Sequence, residues 1–177
     1  MRSRSQPPPK FFLDRGLGVY SIAEALIQEG IEIQTLRERY GEVEGQKIKD
    51  EKWIREATLD GYILLHKDKR VRRRPNEKRA LIESESRSFA LSSGNLSGAE
   101  ATARYLRNWP RILRAIRRRP APFFYVVLEH GIELRRLDRN SLGLALLLSR
   151  TERMRKAATK TGTSRRFFHT PSLRSGR

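Results

Sequence analysis

No cysteine occurs among the 177 residues. The chain can therefore form neither a disulfide framework nor a thiolate zinc site. Long apolar runs are missing too. The longest, "SLGLALLLS" from Ser141 to Ser149, falls far short of the roughly 20 residues of a bilayer span. The opening "MRSRSQPPPK" carries no apolar segment of the secretory kind. "GLGVYS" lacks the Gly-Lys-Ser/Thr ending of a P-loop. His66 closes an apolar strand, and no motif places a Ser or Cys nucleophile near it. Acids are scarce beside bases. These absences leave the expectation of a soluble, cytoplasmic protein with no membrane partner.

What is present in excess is positive charge. Lysine and arginine number 38 against 20 acids, a formal net charge of +18. A balance this basic points to a polyanion, most often nucleic acid, bound through its phosphates. The excess is uneven: residues 139–177 carry +9, residues 1–10 carry +3, and residues 11–138 the remaining +6. The composition, 33% charged and 37% hydrophobic, is that of a polar globular chain. The length suits one domain with tails.

Residues 1–10, with "QPPP", read as a disordered lead-in. Phe11–Leu13 reads as a first strand. "SIAEALIQEG" reads as a helix, with a capping box from Ser21 and Glu24 and Gly30 as terminator. "IEIQTL" alternates as a second strand. "RERYGEVEGQKIK" reads as a loop because of its two glycines, and Asp50–Gly61 as a helix capped by Asp50. Tyr62–His66 is a strand apolar enough to be covered on both faces. A basic loop, a short helix in "NEKRALIES" and a strand at Ser88–Leu91 follow. Next comes a helix capped by Ser97 that Pro110 bends or splits. Pro122–Glu129 is a strand, and "IELRRL" pairs back as a hairpin. Alternating strands and helices imply a three-layer α/β/α sandwich around a mostly parallel sheet. The domain is expected at 11–138, followed by a basic extension at 139–177, a helix and then a disordered end.

Ligands of open parallel sheets bind beyond the carboxyl ends of the strands. Three acids fall there. Asp14 follows the first strand, Asp68 follows the third, and Asp50 opens the helix leading into the third. Clustered carboxylates repel one another. A hard divalent cation such as Mg²⁺ or Mn²⁺ resolves that conflict, and can orient water toward a phosphodiester.

In order, "FFLDRGLG", "IKDEKWI" and "GYILLHKDKRVRR" resemble the PIN-domain superfamily, most of all the small PIN-like toxins of VapC type. The similarity spans roughly residues 11–137. It implies an Mg²⁺- or Mn²⁺-dependent endoribonuclease, the toxin of a type II pair with a cognate antitoxin protein, and a tendency to form homodimers. Asp14, Asp50 and Asp68 match the metal-binding acids, with Glu51 as the natural substitute for Asp50. Many PIN domains have another acid soon after the third-strand aspartate. Here "KRVRRR" is wholly basic, which leaves one metal or two open.

Each residue also has a plainer reading. Asp14 could cap a turn, Asp50 is a good N-cap, and Asp68 could balance charge in its loop. Arg15, Lys67, Lys69, Arg70, Arg72, Arg73 and Arg74 are candidates to hold RNA phosphates, or a solvated basic surface. Arg15 could equally pair with an acid. Trp53 reads as core, whereas Tyr20 and Tyr40 are candidates to stack on bases. The rival to a nuclease is a non-catalytic nucleic-acid-binding protein on the same frame. A third reading is an interaction module for an acidic protein.

Overall fold

The computed structural model describes residues 7–17 and 20–137. Its centre is a six-stranded sheet: β1 (Lys10–Leu13), β2 (Glu32–Thr35), β3 (Ile63–His66), β4 (Arg87–Leu91), β5 (Phe123–Val127) and β6 (Ile132–Arg135), in the order β2-β1-β3-β4-β5-β6. All pairings are parallel except the last, where β5 and β6 form the expected antiparallel hairpin. The helices are α1 (Tyr20–Gln28), α2 (Leu36–Tyr40), α3 (Glu42–Lys47), α4 (Asp50–Leu59), α5 (Pro75–Glu83) and α6 (Gly98–Arg118).

Period-two alternation sorts the strand residues onto two faces. Phe11, Leu13, Leu65, Phe89 and Phe123 pack with Leu26 of α1 and Tyr105 and Ile112 of α6. Phe12, Leu64, Ala90 and Phe124 pack with Trp53 and Ile54 of α4 and Leu81 of α5. Both faces are covered, so β3 is buried throughout and reads as an unbroken apolar run. From β1 the chain turns to one side for β2 and then crosses to the other for β3. The sheet's switch point therefore lies between β1 and β3, the place where such sheets open a crevice.

Three readings need correction. The stretch expected as a loop holds α2 and α3 instead. Thr35 and Glu38 form a capping box that starts α2, and Gly41, at φ 81°, breaks it from α3. The second glycine, Gly45, lies inside α3: a Cβ there would sit 3.0 Å from the Leu36 carbonyl oxygen. It permits helix approach rather than a loop. The loop after β3 includes a 3-10 turn, Lys69–Arg73. Of the two outcomes expected at Pro110, a bend or a split, the split does not occur, since α6 runs on to Arg118.

Lys10, assigned to the lead-in, belongs to β1. Helix α1 opens at Tyr20, one residue before its expected cap Ser21, whose side chain lies outside the described residues. So does the extension at 139–177. Among the described residues no helix is long and apolar enough to cross a membrane.

Candidate functional site

The carboxyl ends of β1 and β3 carry the chemistry. The β1–β3 ladder continues one step past β1, with the Asp14 amide donating to the Leu65 carbonyl at 3.0 Å. This sets the Asp14 side chain on the α4 side of the edge. Its Oδ2 accepts from the Lys67 amide at 2.7 Å and its Oδ1 from the Leu17 amide at 3.0 Å. Glycine at position 16 lets the turn that wraps back pack closely on Lys67. A Cβ there would meet Lys67 Cβ and Cδ at 3.0 Å and Asp14 Oδ1 at 3.3 Å.

Asp50 is the first residue of α4, and the cap position is Lys49. Its carboxylate serves no backbone cap. Oδ1 accepts from the Trp53 indole at 3.0 Å and lies 3.5 Å from the Arg15 guanidinium. Trp53 itself is core, stacked on Phe12. Asp68 does cap: it accepts from the Arg70 amide at 2.8 Å at the start of the 3-10 turn. It also takes a two-oxygen contact from Arg70 Nε.

Asp14, Asp50 and Asp68 line one cavity of about 240 Å³, with Arg15, Gly16, Trp53, His66, Lys67, Arg70, Val71, Arg74, Gly94 and Asn95. A larger cavity, about 720 Å³, lies at the opposite edge of the sheet. Its lining holds a single acid, Glu32, so the chemistry belongs to the smaller one.

The three carboxylates share a cavity without converging. Among the described residues no three His, Cys, Asp or Glu side chains are gathered as a metal-holding group. Arginines stand between them: Arg74 lies 3.9 Å from Asp50, 3.6 Å from Asp68 and 3.2 Å from Glu77. In donor chemistry the three acids fit a hard divalent cation, since each offers carboxylate oxygens.

Burial drives the Asp14 carboxyl up to about 6, against the hydrogen bonds from Lys67, Leu17 and Gly16, and Asp50 adds to the rise. An acid held this way gains from a cation nearby. Burial also raises Asp68, but its hydrogen bonds from Arg70 and the charges of Arg70 and Arg74 outweigh that and hold it low. His66 is buried and pushed down to about 3. It is therefore neutral, and its Nδ1 at 3.9 Å from Asp14 makes no ion pair.

Other expected residues divide. Lys67, Arg70 and Arg74 line the cavity, whereas Lys69, Arg72 and Arg73 do not. Arg15 lines it but is tied to the carbonyls of Ile48 at 2.7 Å and Gly45 at 3.4 Å. Glu51 is not in the lining. Tyr40 donates to Glu56 at 2.6 Å, away from the cavity, and the Tyr20 side chain lies outside the described residues. Glu77 was missed. It sits in the first turn of α5, is raised by burial with Asp50 and Glu51 adding to the rise, and is bridged by Arg74. Its signal was in "RRRPNE": a proline opening a helix at this edge with an acid two residues on.

A family model described as a PIN like domain matches residues 9–93. A Mycobacterium tuberculosis (strain ATCC 25618 / H37Rv) protein named "Putative ribonuclease VapC45" is 35% identical over 116 residues, covering 66% of this chain and 83% of that protein. No solved structure matches the chain.

Proposed function

This chain belongs to the PIN-like domain family, and from that premise we propose that it is a VapC-type toxin, an endoribonuclease that hydrolyses RNA phosphodiesters at the Asp14 cavity. A cognate antitoxin protein restrains it, and both act in the cytoplasm. One observation carries the reading: three acids far apart in sequence line a single cavity at the switch point of the sheet, rimmed by lysine and arginine.

Asp14, Asp50 and Asp68 are the residues that would hold a divalent cation, Mg²⁺ or Mn²⁺. When bound, that ion supplies Lewis acidity and in-line positioning at a phosphodiester. Asp14 is the rigid member, since two backbone amides fix its oxygens. Trp53 orients Asp50 through its indole. Glu51 and Glu77 stand behind them as supporting acids. Arg74 now bridges Asp50, Asp68 and Glu77 and would turn its guanidinium to phosphate. Lys67 and Arg70 hold the same backbone, while Lys69, Arg72 and Arg73 meet flanking phosphates. Arg15 is a positioning residue, because two carbonyls and Asp50 already hold it. Homodimerisation, which the family resemblance implies, belongs to the same reading and is tested by sedimentation.

RNA cleavage by the wild type and Asp14→Ala, each with Mg²⁺, Mn²⁺ or EDTA, tests the proposal. Cleavage by the wild type alone, and only with a divalent cation, is the expected result. Cleavage that persists in EDTA would sink it. Equal RNA binding by both proteins with cutting by neither would favour the non-catalytic reading.

A further inference from the structure

Helix α6 carries arginine at 104, 107, 111, 114 and 118. At about 100° per residue these five fall within a sector of about 80°, a stripe about 21 Å long. The adjoining flank of the helix, with Ala101, Tyr105, Ile112 and Ala115, is buried in the core, whereas Arg107, Arg111, Arg114 and Arg118 are exposed. The stripe is therefore the outward face.

A solvated face is the plain reading of such a pattern, and three observations go beyond it. First, the helix holds one acid, Glu100, which is used in its own capping box. Like charges three and four residues apart destabilise a helix, so an acid-free ladder favours an external anion. Arg107 has Glu129 at 3.7 Å. Arg111, Arg114 and Arg118 pair with no acid among the described residues.

Second, the lower end of the stripe is concave. Arg111, Arg114, Arg118 and Arg119, with Tyr125 and Ile132, line a cavity of about 430 Å³ that contains no acidic residue. The Tyr125 ring is fixed by stacking on Phe89 at 5.5 Å, which gives the hollow a rigid aromatic wall. Asn108 ties the helix to the β5–β6 turn through the Leu128 carbonyl at 2.9 Å, so the platform is stiff.

Third, the upper end leads to the catalytic edge. Arg104 donates to Ser92 Oγ at 2.8 Å, and Gly94 and Asn95, just beyond, line the catalytic cavity.

We propose that this face is an RNA-backbone track: a single strand leaving the catalytic cavity passes over the sheet edge and along α6, with a phosphate seated in the Arg111–Arg119 hollow. The identity of the ligand rests on the ribonuclease reading; the anion chemistry does not. An acidic protein is the rival occupant. Protein interfaces carry an apolar centre, and none of the exposed large apolar residues, Ile27, Val43, Leu59, Leu128 or Leu134, lies on α6. Nucleic-acid interfaces are polar and strongly positive, as this stripe is.

The test uses the full chain with Asp14→Asn, so that RNA is bound without being cut. Affinity for a single-stranded RNA of about 20 nucleotides is measured by fluorescence anisotropy between about 50 and 200 mM salt. Each phosphate contact in a single strand contributes about 0.7 to the salt slope. Arg111→Ala/Arg114→Ala/Arg118→Ala is expected to flatten the slope by about 2 and weaken binding at least ~10-fold. The matching triple lysine variant keeps the slope, and Lys47→Ala leaves it unchanged. With Asp14 intact, the triple alanine variant should cut an RNA of about 4 nucleotides normally and a long RNA with raised KM.

An unchanged slope in the triple alanine variant overturns the track. So does a loss that lysine fails to restore, which would mark a structural role. Loss of polyglutamate binding with RNA binding intact overturns it in favour of a protein partner. Because the slope is read without cleavage, failure of the track is distinct from failure of the nuclease reading.

Discussion

Replacing Asp14 with asparagine should make the protein relatively more stable as pH rises, while removing its activity. The folded carboxyl is raised from 3.8 to about 6, a gap worth about 3 kcal/mol. About a sixth of the side chain is open, at 17% exposure, so the figure is an upper value. The native state takes up its proton first as pH falls. The ionised carboxylate therefore costs stability above about pH 6, and the cost fades as pH drops toward 3.8. Asparagine never carries the charge. It does lose an acceptor, since the carboxylate takes two backbone hydrogen bonds. That loss, about 1–3 kcal/mol, is the same at every pH. His66, pushed down to about 3, runs the other way: its unfolded form protonates as pH falls, and stability drops with it. It is present in both proteins and cancels. Urea unfolding of both in EDTA should show their stability difference moving about 2–3 kcal/mol in favour of the variant between about pH 4 and 8. Added Mg²⁺ should shrink that difference at pH 8, because only the wild type gains from binding. A difference that stays flat with pH would refute the desolvated carboxylate on which the cation argument rests.

Trp53→Phe keeps most of the ring packing on Phe12 but removes the indole bond to Asp50. Activity should fall by about 10–100-fold with RNA affinity unchanged, as measured by kcat and anisotropy side by side. Gly16→Ala pushes a methyl to 3.0 Å from the Lys67 side chain and 3.3 Å from Asp14. A loss of about 1–3 kcal/mol and a sharp loss of cleavage are expected; a fully active variant would show that the turn is loose. At subsaturating divalent ion, cleavage should rise with pH through about 6 as Asp14 ionises. Saturating ion should move that limb to lower pH, read from initial rates. Phe12→Ala, deep in the α4 face, should cost about 3–5 kcal/mol in chemical denaturation.

The strands were legible because each signal was local. Phe11–Leu13 and Tyr62–His66 had the apolar density that a doubly covered sheet demands, and Ser97 announced the start of α6. What failed was non-local. Gly45 reads as a loop residue until the Leu36 carbonyl is seen 3.0 Å from where its Cβ would stand. Pro110 reads as a bend or a split because the sequence does not show how much of α6 is held by the core. Ile112 and Ala115, beyond the proline, are both buried, and that packing outweighs one missing hydrogen bond.

The site was legible as a set of positions and not as an arrangement. Strand order places the ends of β1 and β3 side by side and starts α4 at the same edge, so Asp14, Asp50 and Asp68 had to fall along one edge. How their charge is balanced depends on side chains that reach in from elsewhere. Arg15 arrives braced by the end of α3. Arg74 arrives from the residue before Pro75, a position whose extended backbone sends it toward the acids. The basic run after Asp68, which read as a missing fourth acid, is instead the source of the countercharge. Glu77, in the first turn of the next helix, is held by Arg74 but does not line the cavity. The cavity is lined by three carboxylates and four cations, Arg15, Lys67, Arg70 and Arg74. The opposite charges are sorted by depth. Asp14 lies deeper, at 17% exposure, while Arg70 stands at the surface with 73%.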